Sequence, residues 1–152
     1  MSTQRDDQVS LKRIADLEAA LKKPGVVYHG RANQDELARE MKSAALWVYP
    51  THFEETFCIT AIEAQRAGLP VIASNYAGLQ TTVAGSGLLL GDGNPWWAYT
   101  VEGRTAFINK TIELLTNNDE WKRWSDRGMR NSERYSWAKC AQKWDYLFKG
   151  NK

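Results

Sequence analysis

An α/β fold on a doubly wound parallel sheet is predicted by three features of the sequence. Short β-rich runs alternate with helical stretches, which is the pattern of βαβ units. The runs are nearly continuous in apolar residues rather than alternating, as strands covered by helices on both faces require. The helical stretches end at recognisable stops: Pro24-Gly25, Gly68 with Pro70 beyond it, and the loop Gly91-Asp92-Gly93-Asn94-Pro95.

Taken in order, residues 9–22 place Leu11, Ile14, Leu17 and Leu21 at spacings of three and four, a helical stripe. A strand is expected at residues 26–29. A second helix opens at Asn33, an N-cap with Glu36 three residues on, and runs to about Ser43. Residues 46–49 form the next strand, and a third helix is expected over residues 57–67. Strands at 71–74 and 88–90 follow, with a short helix after the Gly78 turn. Helices over residues 104–115, 119–130 and 137–148 complete the chain, Ser136 capping the last. This makes a sheet of about four strands with helices on both faces and a helical C-terminus. Such sheets bind ligands beyond the carboxyl ends of their strands, so chemistry is expected in the loops after His29, Tyr49, Ser74 and Leu90.

The 152 residues suit one compact domain, here residues 1–152. The 20 basic and 18 acidic residues leave a net charge of +2, which argues against electrostatically driven binding to nucleic acid. No apolar stretch is long enough to span a bilayer, and the polar start of the chain lacks the apolar core of a signal peptide. Two cysteines, Cys58 and Cys140, show no metal-ligand spacing and read as free thiols of a cytoplasmic protein. Six of the seven tryptophans lie from Trp96 onward and are expected to pack C-terminal helices onto the core.

The segment 50–68 carries the chemistry. A strand ends at Pro50, a short loop holds Glu54 and Glu55, and a helix begins. Helix starts offer unpaired amides and a positive dipole end, a seat for phosphate, here from Thr56, Phe57, Cys58 and Ile59. Glu63 stands on an otherwise mostly apolar helix, where a carboxylate is costly without a partner. Were the whole interval helical, Glu55 and Glu63 would lie ~12 Å apart along the axis and roughly 80° apart around it. That exceeds the about 5–9.5 Å of cooperating glycosidase carboxylates but suits the two ends of an extended ligand. The competing reading is a Glu63–Arg66 ion pair, with Glu55 favouring the helix dipole. His29 and His52 read as structural or incidental, since spacing places no acid beside them.

Glu55 and Glu63 with seven residues between them, followed by Ala64, Gly68 and Pro70-Val71-Ile72-Ala73, resemble the Glu-x7-Glu motif of retaining GT-B glycosyltransferases, the glycosyl transferases group 1. Val27-Tyr28-His29-Gly30, Ala44 to Pro50 and Tyr135-Ser136-Trp137 extend the resemblance from about Val26 to Phe148. It implies the C-terminal, Rossmann-like, nucleotide-sugar-binding domain of such an enzyme. Glu55 then matches the acid that meets the donor sugar and assists transfer, and Glu63 the acid on the ribose hydroxyls. Cys58 and Ile59 match residues whose amides hold the diphosphate, with Phe57 the aromatic beside them, and Arg31 and Ala32 lie near the nucleobase. Thr56 and Cys58 stand where glycines are common in the family.

The resemblance also implies transfer with retention, no metal and no cofactor beyond the nucleotide-sugar. It further implies that the first strands of the domain, its diphosphate-binding cations and the acceptor-binding domain lie outside this chain, which alone should be inactive. Partners are then the nucleotide-sugar and an acceptor-binding domain or chain, or a second copy through the apolar residues Trp144, Tyr146, Leu147 and Phe148 of the last helix. A GT-B-fold sugar-nucleotide epimerase fragment and a non-catalytic nucleotide- or partner-binding module are the alternatives.

Overall fold

The computed structural model describes the backbone of residues 3–150 and the side chains of residues 11–150. The chain divides into two compact units, residues 1–35 and 36–152. In the first, helix α1 spans Thr3–Leu21 and presents Leu11, Ile14 and Leu17 as the predicted stripe. Residues 26–29 are not a strand: they pair with none among the described residues, and Val27 and Tyr28 are exposed. The sheet therefore has three strands, not four. A strand forms a ladder only beside a partner, and among the described residues 26–29 have none.

Helix α2, Gln34–Ser43, starts directly after Asn33, as the capping signal requires. The second unit then runs β1 (Trp47–Tyr49), α3 (Ile59–Arg66), β2 (Val71–Ser74), α4 (Leu79–Thr82), β3 (Leu88–Leu90), α5 (Val101–Thr116), α6 (Asn118–Ser132) and α7 (Trp137–Lys149). All pairings are parallel in the order β1-β2-β3, with Val48 opposite Ile72 and Ala73 opposite Leu89. The central strand β2 is buried throughout. Its alternation divides the core: Val71 and Ala73 pack with Ala61, Ala64, Leu79, Val83 and Met41. Ile72 faces the other way, onto Phe107, Leu114 and Trp124. A sheet so covered on both faces explains the apolar runs in the sequence.

Helix α3 packs closely on α6 because the contact is built from small residues. A side chain at Gly128 would lie 3.1 Å from Gln65 Cγ, and Ser125 donates to the Gly68 carbonyl at 2.6 Å. Gln65, fully buried, accepts from Asn131 Nδ2 at 2.8 Å, and the same amide reaches the Thr82 carbonyl at 2.8 Å. Three helices thus meet on one side-chain amide. The end of α3 is a left-handed glycine stop: Gly68 has φ of 85°, its N–H reaches Gln65 and the Leu69 N–H reaches Ala64.

The tryptophans divide in a way the sequence reading missed. Trp97 and Trp124 join the core, and the Trp121 indole donates to the Ala45 carbonyl at 2.7 Å. Trp96, Trp137 and Trp144 are exposed instead, because they lie on loop or helix surfaces that nothing in their own unit covers. No helix among the described residues is long and apolar enough to cross a membrane.

Candidate functional site

The loop from Pro50 to Cys58 leaves the carboxyl end of β1 and is held by bonds within itself and to the end of β2 and the turn beyond it. The Thr51 N–H donates to Ser74 Oγ at the end of β2 (2.9 Å), and Thr51 Oγ1 accepts from the Phe53 N–H (3.0 Å). The Glu55 N–H reaches the Phe53 carbonyl, and the Glu55 carbonyl accepts from the Gly78 N–H at 2.7 Å. Glu55 is half-buried, and the Tyr49 hydroxyl donates to its Oε1 at 2.9 Å. Burial raises the Tyr49 hydroxyl above its ordinary value of 10.0; the Thr51 hydroxyl offsets part of this, and the Glu55 carboxylate adds to the rise.

Gly78 and Tyr49 are residues the sequence reading overlooked. A Cβ on Gly78 would stand 2.6 Å from the Glu55 carbonyl oxygen and from the carbonyl carbon and oxygen of Thr56. Only glycine lets the loop after β2 close against the loop after β1. The signal was present as the Gly78 turn, but the sequence could not say what the turn touches.

Helix α3 begins at Ile59, two residues later than expected, and the cause is Cys58. Its backbone is left-handed (φ 59°, ψ 73°), which no helix continues. This is one of the two positions where the resemblance notes glycine. The Cys58 thiol is buried and makes no capping bond. Among the described residues nothing accepts a hydrogen bond from the amides of Thr56, Phe57, Cys58 or Ile59. Four donors therefore stand open at the start of a helix, an arrangement that can take an anion. Because Glu55 lies in the loop, the spacing calculated for a continuous helix does not apply.

Glu63, one turn into α3, is half-buried and its carboxylate has no ion-pair or hydrogen-bond partner among the described residues; the alternative pairing with Arg66 is not formed. It lines a cleft of about 690 Å³ together with Phe57, Ile59, Tyr135, Trp137 and Lys139. The Phe57 ring meets Tyr135 edge-on at 5.2 Å, tying the start of α3 to the turn before α7. The structure thus gathers Glu55, Thr56, Phe57, Cys58, Ile59 and Glu63 on one continuous segment. Arg31 and Ala32 belong to the other unit, exposed in the turn before α2. No group of three or more His, Cys, Asp or Glu side chains is gathered as a metal site among the described residues.

The sequence model of the family described as glycosyl transferases group 1 matches residues 6–130. The chain belongs to this family. Among its relatives, a D-inositol 3-phosphate glycosyltransferase of Thermobispora bispora is 34% identical over 132 residues, 84% of this chain and 28% of that protein. An uncharacterized glycosyltransferase of Methanocaldococcus jannaschii is 31% identical, covering 74% of this chain and 30% of its own length. The O-antigen chain mannosyltransferase B of Escherichia coli is 27% identical over 82% of this chain and 30% of that enzyme. The chain spans less than a third of the length of these relatives. Within it, the family match takes in the whole sheet, the Glu55–Glu63 segment and most of α6.

Proposed function

We propose that the chain is the nucleotide-sugar-binding part of a glycosyltransferase that transfers a sugar to an acceptor with retention of configuration. The observation that carries the reading is the half-buried, unpartnered Glu63 carboxylate. It opens on a cleft of nucleotide size, behind a helix start with four open amides. In this reading the diphosphate lies against the amides of Thr56, Phe57, Cys58 and Ile59, where the dipole end and fixed donors offset the charge that builds on the leaving group. Glu63 accepts from the ribose hydroxyls. Glu55, held by Tyr49, faces the sugar and assists its transfer. No metal takes part. The free thiols Cys58 and Cys140 fit a reducing, cytoplasmic setting.

The test is a titration of the 152-residue chain with UDP, GDP, ADP and their sugars. Glu63→Ala is expected to weaken the nucleoside diphosphate roughly tenfold, the effect of losing a charged hydrogen-bond acceptor. Glu55→Ala should leave the free diphosphate unaffected and weaken only the nucleotide-sugar. Unchanged diphosphate affinity in Glu63→Ala removes the ribose assignment. Transfer should require an added acceptor-binding domain, and binding without turnover in every combination would favour a non-catalytic module.

A further inference from the structure

We infer that His52, Trp96 and Tyr99 form a saccharide subsite in which the open face of the Trp96 indole stacks on a pyranose ring. The inference rests on the sugar-transfer reading and names the chemical class of a second ligand at the same sheet edge: a neutral pyranoside.

The three rings come from two loops. His52 lies three residues before Glu55 in the loop after β1, whereas Trp96 and Tyr99 follow β3. The His52 ring stacks on Trp96 with centroids 4.3 Å apart and planes within 18°. Tyr99 meets the same imidazole edge-on at 5.1 Å. The cluster is held from beneath. The Tyr99 hydroxyl donates to the Pro50 carbonyl at 3.3 Å, the Trp96 N–H is bound by Asn94 Oδ1 at 2.9 Å, and Arg104 donates to the Tyr99 carbonyl at 2.6 Å.

Its neighbour Trp97 shows what these rings could have done instead. Trp97 packs with the core beneath, so tightly that a Cβ on Gly91 would stand 2.9 Å from its ring. One tryptophan of the pair anchors the loop, while Trp96 keeps 60% of its surface in water. Packing does not account for that second ring, since it closes no core. Its position does: it lies at the carboxyl edge of a parallel sheet, where ligands of such folds bind.

The chemistry selects the ligand. The face of an indole is the negative side of its quadrupole and attracts the weakly positive C–H groups that line one face of a pyranose. His52 fills the opposite face of the indole and holds the ring in place, so that one face is left for the sugar. A nucleotide fits less well here. Asp92 stands in the same loop as Trp96 and Glu54 in the same loop as His52, and both disfavour a phosphate, while the open amides lie at the start of α3.

The experiment is an NMR titration of the chain with the methyl pyranosides of glucose, mannose and galactose, and separately with UDP. At least one glycoside should shift the Trp96 indole and His52 ring signals saturably, leaving those of Trp137 and Trp144 in place. Trp96→Ala should weaken that glycoside by about fivefold or more, and Trp96→Phe should retain most of the affinity. Trp96 is exposed, so both variants should fold, which the dispersion of the same spectra reports. The inference is overturned if no glycoside moves the cluster, if all exposed tryptophans respond alike, or if UDP occupies the cluster instead. UDP binding is read independently at the Phe57 and Ile59 amides and by its loss in Glu63→Ala. Failure there with a persisting glycoside response removes the donor assignment and supports the saccharide subsite; the converse removes the subsite alone.

Discussion

Replacing Gly78 by alanine tests the closeness of the two loops around Glu55. The Gly78 backbone is right-handed (φ −59°, ψ −22°), so alanine meets no torsional cost there. Any penalty must come from space. The new methyl would sit 2.6 Å from three backbone atoms of Glu55 and Thr56, and each must retreat by about 0.8 Å to reach an ordinary 3.4 Å contact. Forcing a group into a filled site costs about 1–3 kcal/mol, and weakening the 2.7 Å bond from the Gly78 N–H to the Glu55 carbonyl adds about 1 kcal/mol. Stiffening the unfolded chain returns about 0.4–1 kcal/mol. The net expectation is a loss of about 2 kcal/mol, or roughly 1 M in the urea midpoint for a slope near 2 kcal/mol/M. Affinity for nucleoside diphosphate should fall as well, because the displaced backbone carries the open amides. Gly85→Ala is the control. Gly85 is left-handed (φ 68°) with open space around it, so alanine should cost about 1 kcal/mol and leave binding untouched. A Gly78→Ala variant within about 0.5 kcal/mol of the parent in urea, with unchanged binding, would refute the steric argument.

Asn131→Ala should destabilise by about 3 kcal/mol in the same assay, since it removes two buried 2.8 Å bonds and strands acceptors on Gln65 and Thr82; a loss under about 1 kcal/mol would contradict the three-helix junction. Tyr49 is harder to ionise in the folded chain than its ordinary 10.0, so its contribution to stability is complete below that pH and is lost as pH rises through the raised native value. Tyr49→Phe should accordingly flatten the alkaline limb of the stability profile, followed by urea unfolding at increasing pH. On α7, Trp144, Tyr146, Leu147 and Phe148 are all exposed, and Trp144 stacks on Phe148 at 5.5 Å. We propose this patch as the surface for a second copy; light scattering should show concentration-dependent association that Phe148→Lys abolishes, and a strictly monomeric chain at high concentration would count against it.

The strands at 47–49, 71–74 and 88–90 were legible as unbroken apolar runs, although only 71–74 is buried throughout. Residues 26–29 have the same composition and form no ladder, since a strand also needs a neighbour, and adjacency is a property of topology that no local run encodes. Helix stops were legible at Gly68, where glycine supplies the left-handed turn. The start of α3 was not, because Cys58 adopts that same backbone region with a side chain that gives no warning. The Glu55–Glu63 pair was found by spacing and resemblance. Its setting was not: Tyr49 read as one more apolar strand residue, and its bond to Glu55 depends on a loop that curls back over six positions. His52 read as structural or incidental, and its stacking on Trp96 was hidden by their separation in sequence.

The hydrogen bonds at the carboxyl edge of the sheet run across it rather than along the chain. Thr51 is bonded to Ser74, Glu55 to Gly78, Asn75 to both Leu90 and Gly91, and Pro50 to Tyr99. Loops after all three strands are thereby cross-linked into one lattice, and folding has already removed most of their freedom. A ligand arriving at this edge orders little that is not ordered, so the entropy usually lost by mobile binding loops is small here. The same cross-linking makes the edge a single mechanical body: a shift at any one loop is handed to its neighbours through a bond of ordinary strength. In hydrogen exchange the amides of Thr51, Asn75 and Gly78 should therefore open together, at a rate set by the sheet and not by local fraying.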